Sequence, residues 1–325
     1  MKVLVTGGAG YIGSVVCEYL LERGYDVIVV DNLSTGHREA VPDGAVFYEL
    51  SLKDYDRLVE VLREGIDAIC HFAAFSLVSE SMSDPLKYYE NNVCGTMYLL
   101  KAAKDAGVMK FLFSSTAAVY GEPESIPITE DSPLNPVNPY GNTKLAIEKL
   151  LADCNNSWGL RYISLRYFNA AGATELHGED HNPETHLIPL VIDAAMGKRD
   201  ELVVFGNDYP THDGTCIRDY IHVKDLAVAH LLALKAIGGD FDGAINLGNS
   251  RGFSVLEVIE AVKNVTGLDV PYRFGERRKG DPAVLVASSD RAEKLLRWQR
   301  SFPDLEDIVR DAFNWRKRFP DGYPD

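Results

Sequence analysis

Short apolar runs rich in Val, Ile, Leu and Phe recur along the chain, separated by longer segments whose apolar residues return every three or four positions. Continuous apolar runs suit strands buried on both faces, and the intervening period suits helices that cover them. The pattern predicts strands at 2–6, 26–30, 45–49, 68–72, 110–114 and 161–167, and helices at 11–23, 54–63, 85–106 and 140–154. The first three helices stop before Gly24, Gly65 and Gly107, residues suited to a left-handed cap.

Strands that alternate with helices predict an α/β, doubly wound (Rossmann) parallel sheet, because parallel neighbours need right-handed crossovers. After Asn169 the rhythm weakens. Residues 172–185 read as a polar loop with Pro183, 202–205 and 244–247 as short strands, 201–219 as turn-rich, and 255–265 and 290–297 as helices. This divides the chain into a doubly wound domain over 1–169 and a smaller, irregular lobe over 170–325, with some segments returning to the main sheet.

The charge balance narrows the partners. Against 33 Lys and Arg stand 48 Asp and Glu in 325 residues, a net charge of −15. Nucleic acids and anionic membranes need clustered cations, so neither is expected, and an anionic substrate must meet a local basic patch. No apolar stretch approaches the ~18 to 20 residues of a membrane span, and strand-like sequence directly after Met1 predicts no secretory leader. The five cysteines, Cys17, Cys70, Cys94, Cys154 and Cys216, never form C-x-x-C and read as reduced thiols of a cytoplasmic protein.

Thr6-Gly7-Gly8-Ala9-Gly10-Tyr11-Ile12-Gly13 joins the first strand to the first helix. Glycines are needed there for a tight turn, for backbone approach to a pyrophosphate, and for close packing of helix on strand, while the helix amino terminus attracts the phosphates. Asp31 closes the second strand 18 residues after Gly13, where a carboxylate accepts from the adenosine ribose and repels the extra phosphate of NADP. Asn32, Ser34 and Thr35 follow as further ribose or adenine contacts. Arg38, seven residues beyond Asp31, reads as a surface residue.

The strand around 110–114 continues into Ser114-Ser115-Thr116, and Tyr140 and Lys144 open a helix 24 residues later, one turn apart on one face. A phenol with a pKa of about 10 becomes a usable acid and base when neighbouring positive charge favours its anion, so Lys144 and the nicotinamide charge together are expected to make Tyr140 a usable acid and base near neutral pH. A second Y-x-x-x-K match, Tyr220 to Lys224, has a strand-like Ile-His-Val interior and is a decoy. His177, His181 and His186 are loosely spaced in the polar loop and read as solvated, so no metal is expected.

With TGGAGYIGS at 6–14, DNLSTG at 31–36, HFAA at 71–74, NNVCGT at 91–96, SSTAAVYG at 114–121, NPYGNTK at 138–144, RYFNAAGA at 166–173, FGNDYPTHDGTCIRDYIHVKDLA at 205–227 and RRKGD at 277–281, the chain resembles the UDP-hexose 4-epimerases of the extended short-chain dehydrogenase/reductase family. The resemblance implies an isomerase that inverts carbon 4 of a UDP-hexose, UDP-glucose to UDP-galactose and back, through a 4-keto sugar, with NAD retained. It implies catalysis by Thr116, Tyr140 and Lys144. Cofactor contacts are implied for Gly7, Gly10, Tyr11, Ile12, Gly13, Asp31, Gly36, Ser51, Leu52, Phe72, Ala73, Ala74, Asn91, Ser114 and Phe168. Substrate contacts are implied for Asn169, His186, Leu187, Val203, Phe205, Arg218, Arg278 and Asp281. A homodimer joined through helices 85–106 and 140–154 is implied as well.

Three other readings compete, the first an epimerase of another NDP-sugar in the same family. An NDP-sugar 4,6-dehydratase of the same family carries Asp-Glu after the Ser/Thr to eliminate water, whereas Ala117-Ala118 stand here. A non-catalytic NAD sensor has no need of the Tyr/Lys pair. The chain also departs from the family at Ser51 (often Asp), Ser76 (Lys in some members) and His186 (commonly Asn). Leu285 stands where relatives use either Tyr or a small Cys or Ser to reject or admit N-acetylated sugars, and Leu is intermediate in size.

Overall fold

A computed structural model describes residues 1–278 and 281–324, so Lys279 and Gly280 of the RRKGD segment lie outside the described residues. The strands are β1 (Lys2–Thr6), β2 (Asp26–Asp31), β3 (Val46–Glu49), β4 (Ala68–His71), β5 (Lys110–Thr116), β6 (Arg161–Tyr167), β7 (Asn169–Ala171), β8 (Leu202–Phe205), β9 (Ile217–His222), β10 (Gly243–Leu247), β11 (Gly252–Ser254), β12 (Tyr272–Gly275) and β13 (Val284–Leu285). The helices are α1 (Tyr11–Glu22), α2 (Tyr55–Leu62), α3 (Val78–Ser83), α4 (Pro85–Tyr88), α5 (Gly95–Ala106), α6 (Pro139–Trp158), α7 (Leu187–Ala195), α8 (Val223–Ala236), α9 (Val255–Thr266), α10 (Asp290–Leu296) and α11 (Leu305–Arg318). No helix among the described residues is long and apolar enough to cross a membrane.

Seven strands form one parallel sheet in the order β10-β6-β5-β4-β1-β2-β3. The order reverses beside β1, which opens a crevice at the carboxyl ends of the strands. The pleat sorts alternate side chains to two cores. Val3, Val5, Val27 and Val29 pack with residues of α1 and α8, while Leu4, Ile28, Val30, Ile69, Phe111 and Phe113 pack with α2, α5 and α6. A third core unites α7, α9 and α11 with β8 and β9.

The glycine stops behave as expected, with Gly24, Gly65 and Gly107 all left-handed. The helix expected over 85–106 forms without a break, and a π-helical stretch, Tyr89–Cys94, lies within it between α4 and α5. Strand β10 lies at the sheet edge beside β6, and α8, not anticipated as a helix, packs on the α1 face.

A buried ion pair ties α6 to β6. Arg166 donates through Nε to Glu148 Oε1 at 2.9 Å and through Nη1 to the Tyr120 hydroxyl at 2.9 Å, and Ser115 donates to Glu148 as well. Both charged side chains are less than a tenth exposed. Removing one partner strands the other charge away from water, so Glu148→Ala is expected to cost about 3 to 5 kcal/mol. Urea unfolding at unchanged m-value checks this, and a loss below about 1 kcal/mol would show Arg166 to be compensated from elsewhere.

Candidate active site

The crevice holds a cleft of about 890 Å³ walled from both halves of the chain. At its floor the glycine turn is as tight as its sequence suggests: a Cβ on Gly7, at φ +76°, would lie 2.4 Å from the Ala73 nitrogen, and one on Gly13 would lie 2.1 Å from the Gly7 carbonyl. Gly10 caps α1 with no side chain on the helix terminus and no acidic residue in its first turn. The free N–H groups of that end and its positive dipole suit a pyrophosphate. Asp31 receives the N–H of Leu33 at 2.9 Å and of Ala9 at 3.1 Å, which fixes the carboxylate at the end of β2. These features fit NAD.

Every expected cofactor residue lines this cleft: Gly7, Gly10, Tyr11, Ile12, Gly13, Asp31, Asn32, Ser34, Thr35, Gly36, Ser51, Leu52, Phe72, Ala73, Ala74, Asn91, Ser114 and Phe168. Asn91 sits in the π-helical stretch, and such bulges re-aim a helix at functional sites. There the neighbouring Asn92 accepts from the Phe75 N–H at 2.9 Å and donates to its carbonyl at 3.0 Å, pinning the loop after β4.

Thr116, Tyr140 and Lys144 meet in the same cleft. Asn138 caps α6, accepting from the Gly141 N–H at 2.8 Å, and this sets Tyr140 and Lys144 in its first two turns. In the protein alone, Tyr140 answers to its immediate surroundings. Burial pushes the phenol up and the Thr116 hydroxyl draws it down. The Lys144 ammonium instead donates to the Ser114 carbonyl at 2.8 Å and stands 5.9 Å from the centre of the Tyr140 ring, with its own pKa pushed down to about 7 by burial and held up by Glu148. Tyr220 of the second Y-x-x-x-K is buried, and Lys224 pairs with Asp311 at 2.6 Å.

On the opposite wall, Arg218 is bonded to Asp281 rather than to adjacent Asp219, which accepts backbone N–H groups of Asn249, Ser250 and Ala287. Arg278 lies over the Phe205 ring at 4.1 Å. Asn169, Arg218, Arg278, Asp281 and Leu285 line the cleft. Leu187, Val203 and Phe205 do not, among the described residues: Leu187 packs on the third core, Val203 pairs with Arg273 in the β8–β12 ladder, and Phe205 lies under Arg278.

The solvated-loop reading of the histidines fails. His177 is buried, with Nδ1 2.6 Å from Glu18 Oε2. His181 and His186 line the cleft and converge on Glu179 and Glu184. The two glutamates, Asp180 and Tyr323 were missed by sequence reasoning. The only signal for the glutamates is the repeated E-x-H spacing on either side of Pro183.

A model of the NAD dependent epimerase/dehydratase family matches residues 3–248. The chain belongs to this family. It is 53% identical to the UDP-glucose 4-epimerase of Halalkalibacterium halodurans, over 99% of this chain and 98% of that one, and 52% identical to that of Streptomyces lividans, over 100% and 98%. A crystal structure of a UDP-glucose 4-epimerase superposes with a TM-score of 0.97 at 50% identity, each chain covered in full. The Bifidobacterium longum UDP-glucose 4-epimerase, solved with NAD+ and UDP, gives 0.94 at 39% identity over 99% and 100% of the two chains.

His71, just before the cleft-lining Phe72 to Ala74 stretch, bridges the Thr6 hydroxyl at 2.7 Å and the Thr96 hydroxyl at 2.8 Å in the interior. Burial pushes its pKa down to about 3. Because the unfolded imidazole titrates near 6.5, the unfolded state binds the extra proton between those values, and stability falls as pH drops through that window. Urea midpoints at about pH 7.5 and pH 5 are expected to separate more for the wild type than for His71→Asn, and equal separations would remove His71 from the account.

Proposed function

We propose that this protein is an NAD-dependent epimerase that inverts carbon 4 of a UDP-hexose, interconverting UDP-glucose and UDP-galactose through a transient 4-keto sugar. The observation that carries this reading is the meeting in one cleft of Thr116, Tyr140 and Lys144, with the α1 terminus on one side and Arg218, Arg278 and Asp281 on the other. The likeness to UDP-glucose 4-epimerases over the whole chain supports it.

When bound, NAD supplies a hydride acceptor and a positively charged ring. The chain does the rest. Tyr140 takes the proton of the sugar 4-hydroxyl and later returns it, with Thr116 supporting the phenolate by hydrogen bonding and Lys144 anchored beneath through Ser114. Arg218 and Arg278 supply the focused positive charge that a diphosphate requires in an acidic protein, and Asp281 and Asn169 lie beside them for the rest of the nucleotide. A sugar held through its nucleotide can present either face to the same acid–base group, so inversion needs no second one. Elimination of water needs further acid and base groups, and the positions after Thr116 are Ala117 and Ala118, both in the cleft wall. In this reading 1–169 hold the cofactor and 170–325 mainly the substrate.

The test is Tyr140→Phe purified with its bound cofactor. Conversion of UDP-galactose to UDP-glucose is expected to fall by about 10² to 10⁴-fold while cofactor content is kept. Near wild-type turnover would remove Tyr140 from its role.

The proposal extends to a homodimer in the cytoplasm. Met82, Leu86, Met97 and Tyr98 along α3, α4 and α5 are exposed, with Leu86 at 78%, and exposed apolar side chains of this kind mark association surfaces. The cysteines are unpaired, as in a reducing compartment. In sedimentation, Leu86→Glu combined with Met97→Glu is expected to convert a dimer to a folded monomer. A wild type that sediments as a monomer would contradict the dimer.

A further inference from the structure

The E-x-H pair on each side of Pro183 folds into a compact four-donor cluster. Glu179, His181, Glu184 and His186 each offer one ligand atom, and these atoms lie within 4.8 Å of one another. His186 Nδ1 is 2.8 Å from Glu179 Oε1 and 3.0 Å from Glu184 Oε1, while His181 Nδ1 is 3.3 Å from Glu179 Oε1 and 3.7 Å from Glu184 Oε2. Four donors around a tetrahedral ion with bonds of about 2.0 to 2.1 Å stand roughly 3.3 Å apart. The spacings scatter about that value.

Hydrogen bonding alone leaves the cluster incomplete. His181 Nδ1 is shielded from solvent and has no hydrogen-bond partner among the described residues, although it is aimed between two carboxylates. One N–H on His186 Nδ1 cannot point at both glutamates that approach it. A cation at the centre satisfies all four donors at once. The glutamates are little exposed, and Glu184 Oε1 also receives the N–H groups of Thr185 at 2.6 Å and His186 at 2.7 Å, which orients it as outer bonds orient metal ligands.

We propose that these four residues bind a divalent transition-metal ion of the zinc class. Two imidazoles and two carboxylates are ligand types that suit such an ion, and together they fill four positions around it. The ion would join the loop 178–185 to the start of α7 at His186. The His181 ring stands edge-on to Tyr11, the first residue of α1, at 6.4 Å, and the Tyr11 hydroxyl donates to the Gly172 carbonyl at 2.6 Å. The metal therefore braces the wall shared by the cofactor turn and the second lobe. This does not depend on the identity of the sugar.

The holoenzyme, dialysed against chelator, loaded with zinc and freed of excess by gel filtration, is expected to retain about one zinc per chain by elemental analysis. Cobalt in its place is expected to show the visible absorption of a tetrahedral site. His181→Ala combined with His186→Ala, and separately the isosteric Glu184→Gln, are expected to retain less than about a tenth of that metal. Circular dichroism and bound-cofactor content report whether each variant is folded. Wild-type protein that keeps less than about a tenth of an equivalent after loading would overturn the proposal and leave two glutamate–imidazole ion pairs. Folded variants that keep the wild-type amount would overturn it equally. Should the variants not fold, the wild-type stoichiometry and the cobalt spectrum decide alone.

Discussion

The close approach of Gly7, Gly13 and Ala73 beside β1 is the constraint on which the rest depends. It brings the amino terminus of α1 to the point where the strand order reverses, with no side chain between helix and sheet. Once that point is set, the parallel sheet delivers its other groups to the same rim. Asp31 ends β2, Phe72 follows β4, Thr116 ends β5 and Phe168 follows β6. The site is assembled from strand ends that are distant in sequence and adjacent in the sheet.

The electrostatics of the site are local. In a chain of net charge −15, the α1 terminus, Arg218 and Arg278 gather positive charge around one cleft, where the proposed nucleotide would lie. Lys144 acts at shorter range. Its ammonium is buried against Ser114 and Phe113, and its charge is favoured by Glu148 one turn along α6. Glu148 is also the partner of Arg166, so the ion pair that joins helix to sheet lies within the support of the proposed catalytic face. Stability and the proposed chemistry draw on the same carboxylate.

Much of the first half was legible in the sequence because strands buried on both faces are written as unbroken apolar runs, and because glycines mark the helix ends. The π-helical stretch around Asn91 was not, since it depends on Asn92 reaching the loop at Phe75. Helix α8 was hidden for a related reason: its residues are apolar on most sides, buried between α1 and α10, and so lack an amphipathic period. The candidate site was legible where motifs carry it. The pairings across long separations were not legible, as when Arg218 meets Asp281 and Arg278 covers Phe205. The histidine loop read as polar because its glutamate partners lie two residues from each imidazole and meet only when the chain turns at Pro183.

In the proposed reaction carbon 4 is oxidised and reduced again within one cleft by a single acid–base group. UDP-galactose carrying deuterium at carbon 4, incubated in ordinary water with the protein and no added NAD, should give UDP-glucose that retains the deuterium at carbon 4. Loss of the label to solvent, or no conversion without added cofactor, would rule this reaction out.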